Sequence, residues 1–139
     1  MPISLEIASP NDRYFVAIED DGRVAYAYLH DQNEEELIVG DVWLYNCDEA
    51  PDAPEWTNPK NLPFSNPKEY AQDNDRGPIL QPGDVRITWE TSSAECIAHV
   101  VIHGTPWAII KPNSKPGWCR LATKPGPLAI PLADYANEK

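Results

Sequence analysis

Long apolar runs are missing from this sequence, and so is nearly every pattern that would name a reaction. No stretch approaches the ~18 apolar residues of a membrane span, and residues 1–7 carry no basic segment ahead of an apolar one. Neither a span nor a secretory leader is expected, which makes the cytoplasm the expected location. Cysteine is scarce and unpatterned: Cys47, Cys96 and Cys119 are odd in number, far apart and without CxxC or Cys/His spacing. That excludes a disulfide framework or a zinc site and leaves three free thiols acting as small hydrophobes. No glycine-rich phosphate loop occurs, and Thr91, Ser92 and Ser93 have no GxSxG or SxxK context for a nucleophile. His99 and His103 lie four apart, a spacing that converges on one ion only in a helix; on a strand it separates them by ~13 Å. They are expected as unpaired surface histidines, with His30 standing alone. Acid pairs abound, but among 22 acids such pairs arise by chance. No cofactor, metal or catalytic constellation is expected, and the chain is read as a binder and not an enzyme.

Basic residues are scarce exactly where acids concentrate. Residues 31–75 hold twelve acids against two bases, a local charge of −10 in a chain whose total is −11. Residues 1–30 carry −3 and residues 76–139 carry +2. Nucleic acid and anionic membrane both require a basic footprint, so neither is an expected partner. A basic protein fits.

Helical periodicity is nearly absent, whereas prolines number 15 and the short apolar segments are rich in Val, Ile, Tyr and Trp. These features predict a mainly β fold, either a β-sandwich or a curved antiparallel sheet closing on itself. The 139 residues fit one domain, 1–139, with 133–139 as a flexible tail. Leu37–Asn46, LIVGDVWLYN, is apolar on both faces and predicts a central strand, with Asp41 as its one discordant residue. A hairpin is expected with Asp21-Gly22 at its tip, setting Ile18 opposite Ala25. Val85, Ile87 and Trp89 predict a half-buried strand, and Cys96, Ala98, Val100 and Ile102 the core face of its return. Gly104-Thr105 would turn the chain again, with Trp107 opposite Ile102. Trp118–Ala122 and Leu128–Leu132 predict two further short strands. Between Asn46 and Asp84 runs a long loop with seven prolines, in which Asn66-Pro67-Lys68-Glu69 reads as the capped start of a short helix.

The acids flank the central strand in sequence. Asp31, Glu34, Glu35 and Glu36 precede it; Asp48, Glu49, Asp52 and Glu55 follow, with Trp56 among them. Together these nine residues are the candidate partner-binding surface, since an aromatic ring amid carboxylates suits a guanidinium-bearing partner.

Three groups of residues also carry a resemblance. Asp41–Asn46 with Glu55-Trp56, Asn66–Tyr70, and Pro116–Ala122 with Gly126–Ala129 resemble small acidic bacterial immunity-type proteins encoded beside polymorphic toxins of type VI or contact-dependent systems. The resemblance spans roughly residues 14–130 and implies a protein that neutralises a cognate toxin or effector. The alternative is a carbohydrate-binding β-sandwich module displaying exposed tryptophans.

Overall fold

In a computed structural model the described residues are 3–10, 12–32, 37–47, 51–52, 65–71, 81–91 and 96–138. The chain is mainly β and forms two sheets. β1 (Ile3–Ala8), β2 (Tyr14–Asp20), β3 (Val24–Asp31) and β4 (Leu37–Asn46) make an antiparallel sheet in chain order. β5 (Val85–Glu90), β6 (Ile97–Ile102), β7 (Thr105–Ile110), β8 (Trp118–Cys119) and β9 (Ile130–Pro131) make the second, in which only β8 and β9 run parallel. Val16, Ile18, Ala27 and Leu29 of the first sheet share one buried cluster with Ala98, Val100, Ile102 and Ile110 of the second. None of the helices among the described residues is long and apolar enough to cross a membrane.

β1 was not among the expected strands. Its signal is the alternation of Ile3, Leu5 and Ile7 with Ser4 and Glu6, which turns Leu5 and Ile7 toward the core.

The hairpin of β2 and β3 forms, but two residues out of the expected register. Its tip is Gly22-Arg23, with Gly22 alone at positive φ (90°), and Asp21 N–H bonds the Val24 carbonyl. The two aspartates explain the shift. Asp21 Oδ1 accepts from the N–H groups of Arg23 (2.8 Å) and Val24 (2.9 Å), and Asp20 Oδ1 from that of Gly22 (2.8 Å), so both serve as side-chain acceptors outside the left-handed region. A shift of two keeps every side chain on its face but changes its neighbour: Ile18 lies opposite Ala27.

The turn between β6 and β7 is likewise displaced. His103 and Gly104, at φ 51° and 76°, occupy its centre, because a β-branched Thr105 would be strained there. Thr105 then pairs with Ile102, and a bulge at Trp107 restores the inward direction of Ala108 and Ile110. Ile109 consequently turns to the outer face. There it packs with Ile97, Trp118 and Tyr135, the last supplied by a 3-10 helix at Leu132–Glu138 that replaces the expected flexible tail. Of the two short strands expected near the end, only Trp118–Cys119 and Ile130–Pro131 pair as strand. Residues 68–70 make a turn and not a capped helix: the Pro67 carbonyl accepts from Tyr70 and Ala71, while the Asn66 side chain caps nothing.

β4 has both faces buried, as expected; Val42, Trp43, Leu44 and Tyr45 are completely inaccessible. Its position needs correction, for it is the last strand of its sheet and not a central one. The second edge is covered by irregular chain. Asp41 N–H bonds Ser114 (3.1 Å), Trp43 N–H bonds Leu128 (3.0 Å), Asn113 N–H bonds Val39 (2.7 Å) and Gly117 N–H bonds Asp41 (2.6 Å). That contact demands glycine: a Cβ on Gly40 would lie 2.7 Å from Ile110 Cγ2, and one on Gly117 would collide with the Ile109 carbonyl oxygen.

Gly117→Ala is therefore expected to lower unfolding free energy by about 1–3 kcal/mol. Gly104→Ala meets open space and should cost about 1 kcal/mol through its positive φ alone. Urea unfolding of both variants checks the ranking, and equal losses would remove the steric explanation.

Candidate functional site

The register of the first sheet assembles an outer face from residues that are distant in sequence. Glu6, Ala17, Tyr28 and Asp41 form one row across β1 to β4, and Ser4, Glu19, Tyr26 and Trp43 form the next. Glu6 and Glu19 are exposed, Tyr28 and Asp41 are half-buried, Ala17, Tyr26 and Trp43 are covered, and the rings of Tyr26 and Tyr28 stack with centroids 5.9 Å apart. Asp21 reaches the same region from the hairpin tip.

Carboxylates outnumber cations on this face. Burial, followed by the carboxylates of Glu19, Asp41 and Asp21, pushes the Tyr28 hydroxyl up to about 12. Burial also holds Asp41 above the usual carboxylate range, and the Lys115 ammonium only partly offsets that. Asp41 thus sits at an edge, as its mismatch with the rest of β4 required. Carboxylates and tyrosine ring faces offer acceptors and π-density, which suit guanidinium or ammonium groups of another molecule.

The nine residues expected to bind a partner are not brought together as one rim by what is described. Asp31, at the start of the chain's approach to β4, is buried and faces Arg13 at 3.7 Å. Asp52 is exposed and pairs with Lys68 at 2.9 Å, which holds its carboxyl below the usual range. Asp31 pairs with Leu37, whereas Asp52 adjoins the segment whose Asn66 is bonded to Asn46. These are opposite ends of a ten-residue strand, roughly 30 Å apart. Glu34, Glu35, Glu36, Asp48, Glu49, Glu55 and Trp56 lie outside the described residues. The Glu6–Tyr28–Asp41 row escaped the sequence reading because β1 was unassigned and because register, not spacing, creates it.

The histidines require a correction too. Neither is unpaired: His99 Nε2 lies 3.1 Å from Glu90, and His103 Nε2 3.1 Å from Asp84. Bonds from Gln81 N–H and then from His103 keep the Asp84 carboxyl low. Among the described residues no group of three or more His, Cys, Asp and Glu side chains could hold a metal. The cysteines form no disulfide; burial raises the Cys119 thiol to about 12, and half-buried Cys47 donates to Asp20 Oδ1 at 3.4 Å. Three of the four described tryptophans are buried, Trp43, Trp107 and Trp118, with Trp107 Nε1 donating to the Leu44 carbonyl; Trp89 is half-buried. A pocket of about 250 Å³ lies between the outer face of β6 and β7 and the terminal 3-10 helix, walled by His99, Val101, Pro106, Ile109, Leu132 and Tyr135. Comparison with family models, curated proteins and solved structures finds no match for the chain.

Asp41 supplies a pH test. The unfolded carboxyl ionises at its ordinary value and the folded one at a higher pH, so ionisation above the ordinary value costs stability. Asp41→Asn removes that cost. The variant should be more stable than wild type at about pH 7, and the gain should vanish at about pH 3, where both states are protonated. Urea unfolding at the two pH values decides; a gain that persists in acid would exclude ionisation as its cause.

Proposed function

We propose that this protein is an immunity-type binder that neutralises a cognate bacterial toxin domain in the cytoplasm, engaging it through an acidic surface and performing no chemistry of its own. The observation that carries this reading is the segregation of charge, with residues 31–75 accounting for −10 of the total −11. Toxin domains that act on nucleic acids or nucleotides present basic clefts. A concentrated anionic surface competes for such a cleft and can accelerate encounter by ~10- to 1000-fold at low salt.

The outer face of the first sheet adds support, because Glu19, Asp21 and Asp41 are close enough to one tyrosine to raise its hydroxyl. The eight candidate acids and Trp56 remain the proposed contact, with Glu6, Glu19, Tyr28 and Asp41 as an extension of it. The carbohydrate reading needs an exposed tryptophan platform; with Trp43, Trp107 and Trp118 buried, it rests on half-buried Trp89 and on Trp56, which lies outside the described residues.

The test is capture of partners from the native organism's lysate at ~50 mM and ~500 mM salt, where the screening length shrinks to a few ångströms. A basic toxin-like protein retained in near-stoichiometric amount and weakened by salt is the expected result. Replacing Glu34, Glu49 and Glu55 together by lysine should weaken its binding at least ~10-fold, mainly through slower association, with unchanged thermal unfolding. Unchanged affinity would remove the electrostatic part of the reading, and no captured protein at either salt would remove the reading itself.

A further inference from the structure

The two edges of the first sheet are treated differently. At the β4 edge, the outward groups of Val39, Asp41 and Trp43 are taken up by bonds to residues 113–117 and 128. At the β1 edge nothing among the described residues corresponds to them: β2 is the one described strand beside β1, and no other described backbone bonds to Ile3–Ala8.

Which groups are open follows from the alternation of antiparallel pairing. Ser9 N–H bonds the Tyr14 carbonyl in the same register, so Ile7, Leu5 and Ile3 also direct their backbone toward β2. Ser4, Glu6 and Ala8 therefore direct their N–H and C=O groups outward, and all three residues are exposed. β1 lacks the usual protections of an edge: it contains no proline and no lysine, and its pairing with β2 is uninterrupted over six residues. Its single charge is Glu6, on the outer face in line with Tyr28 and Asp41, with Glu19 in the neighbouring row. On the inner face, Leu5 and Ile7 are only partly covered by the core.

We propose that the edge of β1, unpaired among the described residues, is a strand-addition site for an extended segment of a basic partner protein. This rests on the reading of the chain as a binder of such a partner and specifies where it attaches. Backbone bonds to Ser4, Glu6 and Ala8 give affinity, and the two faces dictate the sequence of the added strand. Lysine or arginine projects beside Glu6 and Glu19, while apolar residues on the other face extend the core past Leu5 and Ile7. The open edge of β5 fits this segment less well, because exposed Arg86 would repel it.

The probe is a synthetic peptide of about nine residues alternating valine and lysine, added at low salt to the isotope-labelled full chain, with amide exchange read by NMR. Exchange at Ser4, Glu6 and Ala8 should slow at least ~10-fold, with no change at Val85, Ile87 and Trp89, the outward amides of β5. A peptide with glutamate in place of lysine should have no effect. Glu6→Lys should abolish the slowing by charge. Glu6→Pro should abolish it by removing an outward N–H at a site where an edge strand accepts proline, and a retained native spectrum shows that either variant folds. Peptide binding without slowing at β1, or with slowing at β5 instead, overturns the edge assignment while leaving the acidic-surface reading intact. No peptide binding by wild type also overturns the edge assignment; the wider reading is decided separately by lysate capture.

Discussion

Everything in this fold depends on completing the backbone hydrogen bonds of one buried strand. β4 contains four consecutive side chains with no solvent access, so an unbonded N–H or C=O along it would cost about 1–3 kcal/mol. β3 satisfies one edge. The other is satisfied by chain that is not a strand, between Lys111 and Gly117 and at Leu128, and this requirement ties the second sheet to the first. Gly40 and Gly117 are glycines because the two backbones meet there without room for a side chain. Ser114 shapes the same segment, accepting from Lys111 N–H at 3.0 Å and donating to the Lys111 carbonyl at 2.7 Å.

Satisfying one edge so thoroughly makes the contrast with the other more informative. The polar interior is also closed around the first hairpin: Asp20, although buried, accepts from the Tyr45 hydroxyl at 2.5 Å and from Gly22 N–H, and Asn46 exchanges bonds with Asn66 while accepting from Trp43 Nε1. Burial and the bond to Asp20 hold the Tyr45 hydroxyl far above its ordinary value, so it keeps its proton in the bond to Asp20. Among the described residues, the first sheet leaves exposed Ser4, Glu6 and Glu19 on its outer face and the outward backbone groups of β1. Both features underlie the proposal of a partner that brings positive charge on an extended backbone.

Much of the architecture could be read from residue order. Alternation in Val85–Glu90 and Ile97–Ile102 set both the strands and their inward faces, and the pairing of Trp89 with Ala98 and Ile87 with Val100 follows from it. The turns were harder. Asp-Gly and Gly-Thr dipeptides marked the right places, but the central pair in each was decided by which residue tolerates positive φ: Gly22 without Asp21, and His103 with Gly104. The terminal segment looked like a fraying tail because its anchor, Tyr135, has value only against Ile97, His99, Trp118 and Ile109, the last turned to that face by the bulge at Trp107. The acidic candidate surface was legible as composition and not as geometry. Acids adjacent in sequence to a long strand start from its opposite ends, whereas Glu6, Glu19 and Asp41, spread over 36 positions, share one face.

By itself, then, the sequence determined the β class, the inward faces of β5 and β6, the absence of a disulfide framework and the concentration of negative charge in the middle third, because periodicity, cysteine spacing and charge are local properties of the chain. Tertiary structure alone decided that β4 ends its sheet, that His99 and His103 each meet an acid, and which carboxylates surround Tyr28. Those outcomes depend on register and on backbone groups competing for partners across the fold, and no window of neighbouring residues contains that competition.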